Sequence, residues 1–210
     1  PRLRRRGTRA RTPAAAAAAA PRRRRPRGPA PHGGMPRWPT HALPWQALME
    51  DMAQLIQDAH REGLLAVLWM YPRGKAVGAE KDPHLIAGAA GVAACMGADF
   101  TKVNPPKPTD GRSSADSLKE AVAAAGNCGV ICSGGTSQDG VAFLQNLHDQ
   151  IHVGGAVGNA TGRNIHQRPL DEALRLSSAI SAVTIGLESV DKAVRIYQGE
   201  ETWDLPALDL

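Results

Sequence analysis

The ten residues "GADFTKVNPP" (97–106) place one lysine inside a stretch that otherwise has the character of a short buried strand. Apolar and β-branched residues fill it, and a glycine and two prolines bound it. With a two-residue period, Lys102 shares a face with Phe100 and Asn104. Buried lysines are rare, so these residues alone leave two interpretations open: an edge strand whose lysine points to water, or a strand that carries a lysine into a site.

Apolar runs alternate with helical patterns on both sides of this stretch. The run Leu64–Tyr71 predicts a strand covered on both faces, and two more strands are expected within 129–135 and 154–162. Apolar residues at three- and four-residue steps predict helices over 44–61, 83–96, 114–125, 138–151, 169–185 and 189–198. Strand alternating with helix predicts an α/β fold of βαβ units around a parallel sheet.

Four chemically distinctive residues stand at or near the ends of these strands. Tyr71, Lys102, Ser133 and Gly162 are separated by 31, 31 and 29 residues. The carboxyl ends of parallel strands meet at one rim, which forms the ligand site in open sheets and in barrels alike. All four residues are therefore expected at one site.

Two glycine-rich turns follow consecutive predicted strands. "CSGG" (132–135) and "GNATGRN" (158–164) offer backbone N–H groups that can hold a phosphate, and the second also carries Arg163. Neither matches the Walker A or GxGxxG pattern. Glycine is also the default turn residue, so a phosphate site and a pair of plain turns both remain open.

A lysine beside such a site has a specific chemistry. If desolvated, Lys102 would have a lowered pKa and a neutral amine able to attack a ketone. Tyr71 could supply or remove a proton, with Trp69 on the same strand face and Arg73 just beyond it. Aromatic residues such as these also occur in ordinary cores, where their polar ends reach solvent. A purely structural role for Trp69 and Tyr71 therefore stays open beside the catalytic one.

Charge divides the chain into two parts. Residues 1–37 hold twelve arginines, seven consecutive alanines and no acidic residue, whereas residues 38–210 have a formal charge of −7 (13 − 20). We expect a disordered tail over 1–43, a folded domain over 44–200 and a C-terminal tail over 201–210. The acidic domain argues against a nucleic-acid partner, and the protein is expected in the cytoplasm, or in an organelle if residues 1–43 are a transit peptide.

The cysteines and the hydropathy of the chain limit the further kinds of site and partner that can be expected. The three cysteines, Cys95, Cys128 and Cys132, lie in apolar surroundings and are expected to be buried and reduced. No metal site and no cofactor are predicted. The longest apolar run is too short to cross a bilayer, so no membrane partner is expected.

At this point the chain resembles a known family, the archaeal-type class I fructose-bisphosphate aldolases. These are TIM-barrel enzymes grouped with related sugar-phosphate and aminoshikimate-pathway aldolases. The resemblance spans about 62–185 and rests on four motifs in the same order and spacing: "LWMYPRG" (68–74), "GADFTKVNPP" (97–106), "ICSGG" (131–135) and "GNATGRNIHQRP" (158–169).

The resemblance implies a role for each matched position. Lys102 would be the Schiff-base lysine on the sixth strand and Tyr71 the acid/base on the fifth, with Trp69 and Arg73 lining the site. The implied phosphate-binding residues are Ser133, Gly134, Gly135, Gly162 and Arg163. The implied reaction, part of glycolysis and gluconeogenesis, is metal-independent, reversible cleavage of fructose 1,6-bisphosphate to dihydroxyacetone phosphate and glyceraldehyde 3-phosphate.

One departure from the family pattern changes the expected architecture. Family members carry four further strands, including an acidic residue that assists catalysis, where this chain has its Arg/Ala/Pro-rich segment. We therefore expect the last four strands of an eight-stranded barrel, with open edges that favour a homo-oligomer. Three functions remain open: a fructose-bisphosphate aldolase, a Schiff-base aldolase for another phosphorylated ketose, and a noncatalytic half-barrel that acts through dimerisation or a partner.

Overall fold

The computed structural model describes residues 45–75, 77–109 and 111–205. The predicted tail 1–43 lies outside the described residues, as does 206–210 of the predicted C-terminal tail, so these domain boundaries stay predictions. The described elements are α1 (Trp45–Arg61), β1 (Val67–Trp69), α2 (Pro83–Cys95), β2 (Phe100–Val103), α3 (Ser114–Ala125), β3 (Gly129–Ser133), α4 (Gly140–His152), β4 (Gly158–Ala160), α5 (Arg163–His166), α6 (Leu170–Thr184) and α7 (Val190–Gln198).

The four strands form one parallel sheet in the order β1-β2-β3-β4. Each strand pairs with the next along the chain, with a helix in each crossover, and this confirms the predicted α/β class and parallel sheet. The register aligns Trp69, Lys102, Ile131 and Gly158 in one row across the sheet. Because side chains alternate between faces, the residues of this row share a face.

The two faces of the sheet differ sharply in burial. Leu68, Thr101, Val103, Val130 and Cys132 are buried on the face that carries α2 and α3. On the opposite face, which we call the inner face, the side chains at 67, 100, 102 and 131 are only half-buried, and Trp69 is 49% exposed. The described part of the chain therefore covers its sheet on one side, and β1 and β4 each pair along one edge only.

Small residues bring the helices close to the sheet and to each other. Ala90, Ala93, Ala121 and Ala125 are all buried where α2 and α3 pack over the strands. A second apolar cluster joins α4, α6 and α7 through Leu144, Leu147, Leu176, Ala179 and Ile196. Helices α2 and α3 thus form the layer packed on the sheet, as expected for βαβ units, and α4, α6 and α7 form a second packed group.

Polar caps start the helices directly after the loops that follow the strands. Asp82 accepts the N–H of Leu85, Ser113 that of Asp116, and Asp139 those of Val141 and Ala142. Each cap satisfies a donor that the first helical turn leaves without a partner. The caps therefore fix where α2, α3 and α4 leave the carboxyl rim.

Two local predictions differ from the structure, and one short helix was missed. The strand predicted over 64–71 is ordered as a strand only at 67–69, although backbone hydrogen bonds to the β2 chain continue to Ala66 and Met70. Helix α5 was not predicted, since four residues give no periodic signal. Cys95 is exposed on α2, whereas Cys128 and Cys132 are buried as expected, and burial raises the pKa of Cys132 to about 12.

Gly154 offers a direct test of the packing between α3 and α4. A Cβ at this position would lie 2.7 Å from the carbonyl oxygen of Gln150 and 3.1 Å from that of Ala115, both backbone atoms that cannot rotate away. We expect Gly154→Ala to lower the free energy of unfolding by about 1–3 kcal/mol, measured by urea denaturation.

Gly88→Ala is the matched control, since Gly88 lies within α2 and a Cβ there meets nothing within 4 Å. It should stabilise the protein by about 0.5–1 kcal/mol through helix propensity. Equal denaturation midpoints for the two variants would show that the α3–α4 contact is not formed as described.

Candidate active site

Lys102 lies in the middle of the inner face, beside the ring of Trp69. Its Nζ is 5.2 Å from the centre of that ring, within the range of a cation–π contact. The strand register puts the two residues directly opposite each other on β1 and β2. Burial lowers the pKa of Lys102 from its ordinary value, which enlarges the fraction of neutral, nucleophilic amine.

Tyr71 lies two residues beyond the end of β1, at the carboxyl rim. The N–H of Met70 donates to the carbonyl of Lys102 (2.9 Å), so the chain follows β2 up to the residue before Tyr71. Burial raises the pKa of the Tyr71 phenol, an effect that the Arg73 guanidinium, 5.5 Å from the ring centre, opposes. The phenol is therefore protonated at neutral pH and can act as a proton donor.

A cavity of about 520 Å³ lies beyond these residues, at the carboxyl ends of the strands. Among the described residues on its wall, four are basic, Arg73, Lys81, Lys107 and Arg163, and one is acidic, Glu80. Glu80 Oε2 lies 3.8 Å from Arg73 Nε and balances part of that charge. The excess of cationic side chains suits an anionic ligand such as a phosphate ester.

The two glycine-rich loops pack directly against each other at this cavity. The N–H of Gly134 donates to the carbonyl of Ala160 (3.2 Å), and a Cβ on Gly134 would lie 2.9 Å from the Cα of Thr161. Gly135 adopts a φ of +68°, which side chains disfavour. Both glycines are therefore required by the backbone at this point.

A side-chain hydrogen bond links the ends of β2 and β3. Ser133 Oγ donates to Asn104 Oδ1 at 2.8 Å, and both residues are on the cavity wall. Asn104 belongs to the strand face that the sequence predicts for Phe100 and Lys102. The contact shows that this face continues from Lys102 into the cavity.

The structure brings together part of the predicted site. Arg73, Ser133, Gly134, Gly135 and Arg163 line the cavity. The remaining predicted residues are not on its wall: Trp69 and Lys102 lie on the inner face, Tyr71 lies beyond the end of β1, and Gly162 is the N-terminal cap of α5 directly before Arg163. Their roles in binding and catalysis stay predictions.

Sequence reasoning missed several residues that the structure places at the site. Lys81 and Lys107 reach the cavity from different loops, which are joined because the N–H of Lys107 donates to the carbonyl of Lys81 (2.9 Å). No local sequence pattern predicts that these two loops meet. Asn164 and Arg168 lie behind the cavity wall and within the motif "GNATGRNIHQRP" (158–169), but their contacts with residues 134–138 are distant in the chain.

Neither a metal cluster nor a membrane helix was found in the part of the chain that the structure describes. No three His, Cys, Asp or Glu side chains there come together as potential metal ligands. None of the helices described is long and apolar enough to cross a membrane. His148 and His152, four residues apart on α4, stack with ring centres 4.1 Å apart.

Comparison with known proteins shows the family. The sequence profile of the DeoC/LacD family aldolases matches residues 40–168. A fructose-bisphosphate aldolase/6-deoxy-5-ketofructose 1-phosphate synthase of Methanocaldococcus jannaschii is 55% identical over 153 residues, which are 73% of this chain and 48% of that protein. A class 1 fructose-bisphosphate aldolase of Halobacterium salinarum is 35% identical over 148 residues, covering 69% of this chain and 53% of its own length.

Solved structures agree with this assignment. A fructose-bisphosphate aldolase from Slackia heliotrinireducens superimposes with a TM-score of 0.75 at 56% identity, over 78% of this chain and 52% of that one. An archaeal fructose-1,6-bisphosphate aldolase, with its catalytic lysine covalently bound to the carbinolamine intermediate of the substrate, gives a TM-score of 0.56 at 31% identity, over 67% of this chain and 52% of that one.

The chain belongs to the DeoC/LacD aldolase family, which is a family of enzymes. This confirms the resemblance seen in the four motifs. The chain spans about half the length of the relatives it matches.

The lowered pKa of Lys102 can be tested without any substrate. Only the neutral amine reacts with acetic anhydride, so the labelling of Lys102 should rise with pH at a midpoint below that of an ordinary lysine, about 10.4. The extent of labelling is measured by mass spectrometry of the Lys102 peptide, against a short unfolded lysine peptide in the same tube. A midpoint equal to or above that of the peptide would contradict the described burial.

Proposed function

We propose that this chain carries the amine, the proton donor and the phosphate-binding loops of a class I, Schiff-base aldolase acting on a phosphorylated ketose. Fructose 1,6-bisphosphate is the first candidate substrate. The observation that carries the proposal is Lys102, an amine with a lowered pKa on the inner face, next to a cavity with four basic residues. Family membership supports the same reading.

The reaction follows from the chemistry of these groups. The neutral Nζ of Lys102 adds to the ketone carbon of the substrate, and loss of water gives an iminium. The positive nitrogen withdraws electrons from the neighbouring carbon, so the adjacent carbon–carbon bond can break and release an aldehyde. In that cleavage the hydroxyl on the departing carbon loses its proton to a base and becomes the aldehyde oxygen, and the bonding electrons pass to the iminium to give an enamine. Protonation of the enamine carbon and hydrolysis then free the second product and restore Lys102. The lysine supplies the electron withdrawal, so the scheme needs no metal.

Tyr71 and the cavity supply the other requirements. A phenol protonated at neutral pH can donate the proton that helps the hydroxyl of the first adduct leave as water. Arg73, Arg163 and the loop around Gly134 would hold a phosphate group of the substrate and so fix the ketone near Lys102. Each group thus has a separate task.

A second phosphorylated ketose is a real alternative substrate. The Methanocaldococcus jannaschii relative is named both as a fructose-bisphosphate aldolase and as a 6-deoxy-5-ketofructose 1-phosphate synthase. A relative from Streptomyces griseus, 34% identical over 119 residues, is named 2-amino-4,5-dihydroxy-6-oxo-7-(phosphonooxy)heptanoate synthase. The experiment compares the turnover of fructose 1,6-bisphosphate with that of deoxyribose 5-phosphate. Faster turnover of the second would favour a Schiff-base aldolase for another sugar phosphate.

The half-exposed inner face supports the third function left open by the sequence. A noncatalytic half-barrel would cover Trp69 by dimerising or by binding a partner, and a homo-oligomer is proposed for the catalytic form as well. Size-exclusion chromatography with light scattering reports the oligomeric state directly.

Borohydride trapping tests the Schiff-base proposal. The folded chain is incubated with dihydroxyacetone phosphate and reduced, and the modified peptide is identified by mass spectrometry. We expect one adduct, on Lys102, which Lys102→Met abolishes. Lys119→Met, a change of an exposed lysine on α3, should leave the adduct unchanged. The proposal fails if the folded chain gives no adduct, or if the adduct survives in Lys102→Met.

The Tyr71→Phe variant separates proton transfer from amine chemistry. Since Lys102 is intact, trapping with dihydroxyacetone phosphate should still yield the adduct, formed more slowly. Turnover of fructose 1,6-bisphosphate should fall by about 10²–10⁴, the usual loss when a general acid is removed. Turnover of the variant equal to that of the unmodified chain would assign the proton transfer to another group.

A further inference from the structure

A buried polar side chain lies behind the loop between β3 and α4. Asn164 has no exposed surface. Its side-chain oxygen accepts the N–H of Gln138 (2.9 Å), and its amide group donates to the carbonyls of Gly134 (2.8 Å) and Thr136 (3.2 Å). All three partners belong to residues 134–138, so this one side chain holds the whole loop.

Arg168 extends this arrangement from the opposite side. Its guanidinium donates from Nε to the carbonyl of Asn164 (2.7 Å) and from a terminal nitrogen to the carbonyl of Gln138 (2.6 Å). The other terminal nitrogen donates to the hydroxyl of Tyr197 (3.0 Å) and pairs with Glu172. Only 12% of the Arg168 side chain is exposed, so these hydrogen bonds form largely out of water.

The contacts determine how the loop presents its backbone. In a planar trans peptide, the carbonyl of one residue and the N–H of the next point in opposite directions. The carbonyls of Gly134 and Thr136 are turned to Asn164, so the N–H groups of Gly135 and Ser137 point away from it. Gly134, Gly135 and Thr136 also line the cavity, whereas Asn164 and Arg168 are not on its wall.

We propose that Asn164 and Arg168 are positioning residues that hold the β3–α4 loop in the shape that presents its N–H groups to a phosphoryl group. The proposal rests on the proposed function, since it takes a phosphate ester as the ligand of the cavity. Neither residue touches that ligand. Without them, the loop carbonyls are free to turn, and a carbonyl facing the cavity repels an anion.

A purely structural role for the two residues makes a different prediction. It would lower the fraction of folded protein but leave the affinity of the folded fraction unchanged. Affinity measured on the resonances of the folded protein therefore distinguishes positioning from simple stabilisation.

The test is a titration of the ¹⁵N-labelled full chain with inorganic phosphate, followed on the amide resonances of Gly134 and Gly135. We expect Asn164→Ala to raise the dissociation constant of phosphate about tenfold or more. The matched control is Asn127→Ala, a change of an exposed asparagine at the amino end of β3, which should leave the constant unchanged. Arg168→Met serves as the second variant if Asn164→Ala does not fold.

The outcomes are separable from those of the trapping experiment. Equal phosphate affinity in the unmodified chain and in the Asn164 or Arg168 variant overturns the positioning role, as does an absence of phosphate-dependent shifts in the unmodified chain. If Lys102 traps no ketone while phosphate binding still depends on Asn164, the aldolase proposal fails and the positioning role stands. If Lys102 forms the adduct but the Asn164 and Arg168 variants bind phosphate as tightly as the unmodified chain, the aldolase proposal stands and the positioning role fails.

Discussion

The parallel pairing of β1, β2 and β3 is the constraint on which the site depends. Its register puts Trp69 and Lys102 side by side on the inner face, and it brings Asn104 and Ser133 level at the rim. A shift of one residue would turn Lys102 into the layer of helices, where α2 and α3 leave no room for a charge. The chemistry of the amine therefore depends on backbone hydrogen bonds more than on any single side-chain contact.

The site has two parts with different physical requirements. Partial burial lowers the pKa of the Lys102 amine and raises that of the Tyr71 phenol. The cavity needs fixed charge and fixed backbone, which the cationic side chains and the packed glycine loops supply. The strands join the two parts, since each carries an inner-face residue that leads into a loop of the cavity.

The sequence was sufficient to predict the parallel sheet, the residues at its rim and every described helix except the four-residue α5. Apolar periodicity and glycine punctuation are local signals, and the spacing of Tyr71, Lys102 and Ser133 follows from one strand–helix unit between each pair. The meeting of Lys81 with Lys107 could not be predicted, because it depends on how two loops of different length fold back on the sheet. The role of Asn164 could not be predicted for a related reason, because its hydrogen-bond partners are 26 to 30 residues away in the chain.

The open inner face has a thermodynamic consequence. Among the described strands, β1 and β4 each pair along one edge only, and the exposed ring of Trp69 belongs to β1. Any polypeptide that added strands to these edges would also cover the ring and dry the amine beneath it. Completion of the sheet and activation of Lys102 would then be one cooperative event, so the reactivity of the amine would report how far assembly has proceeded.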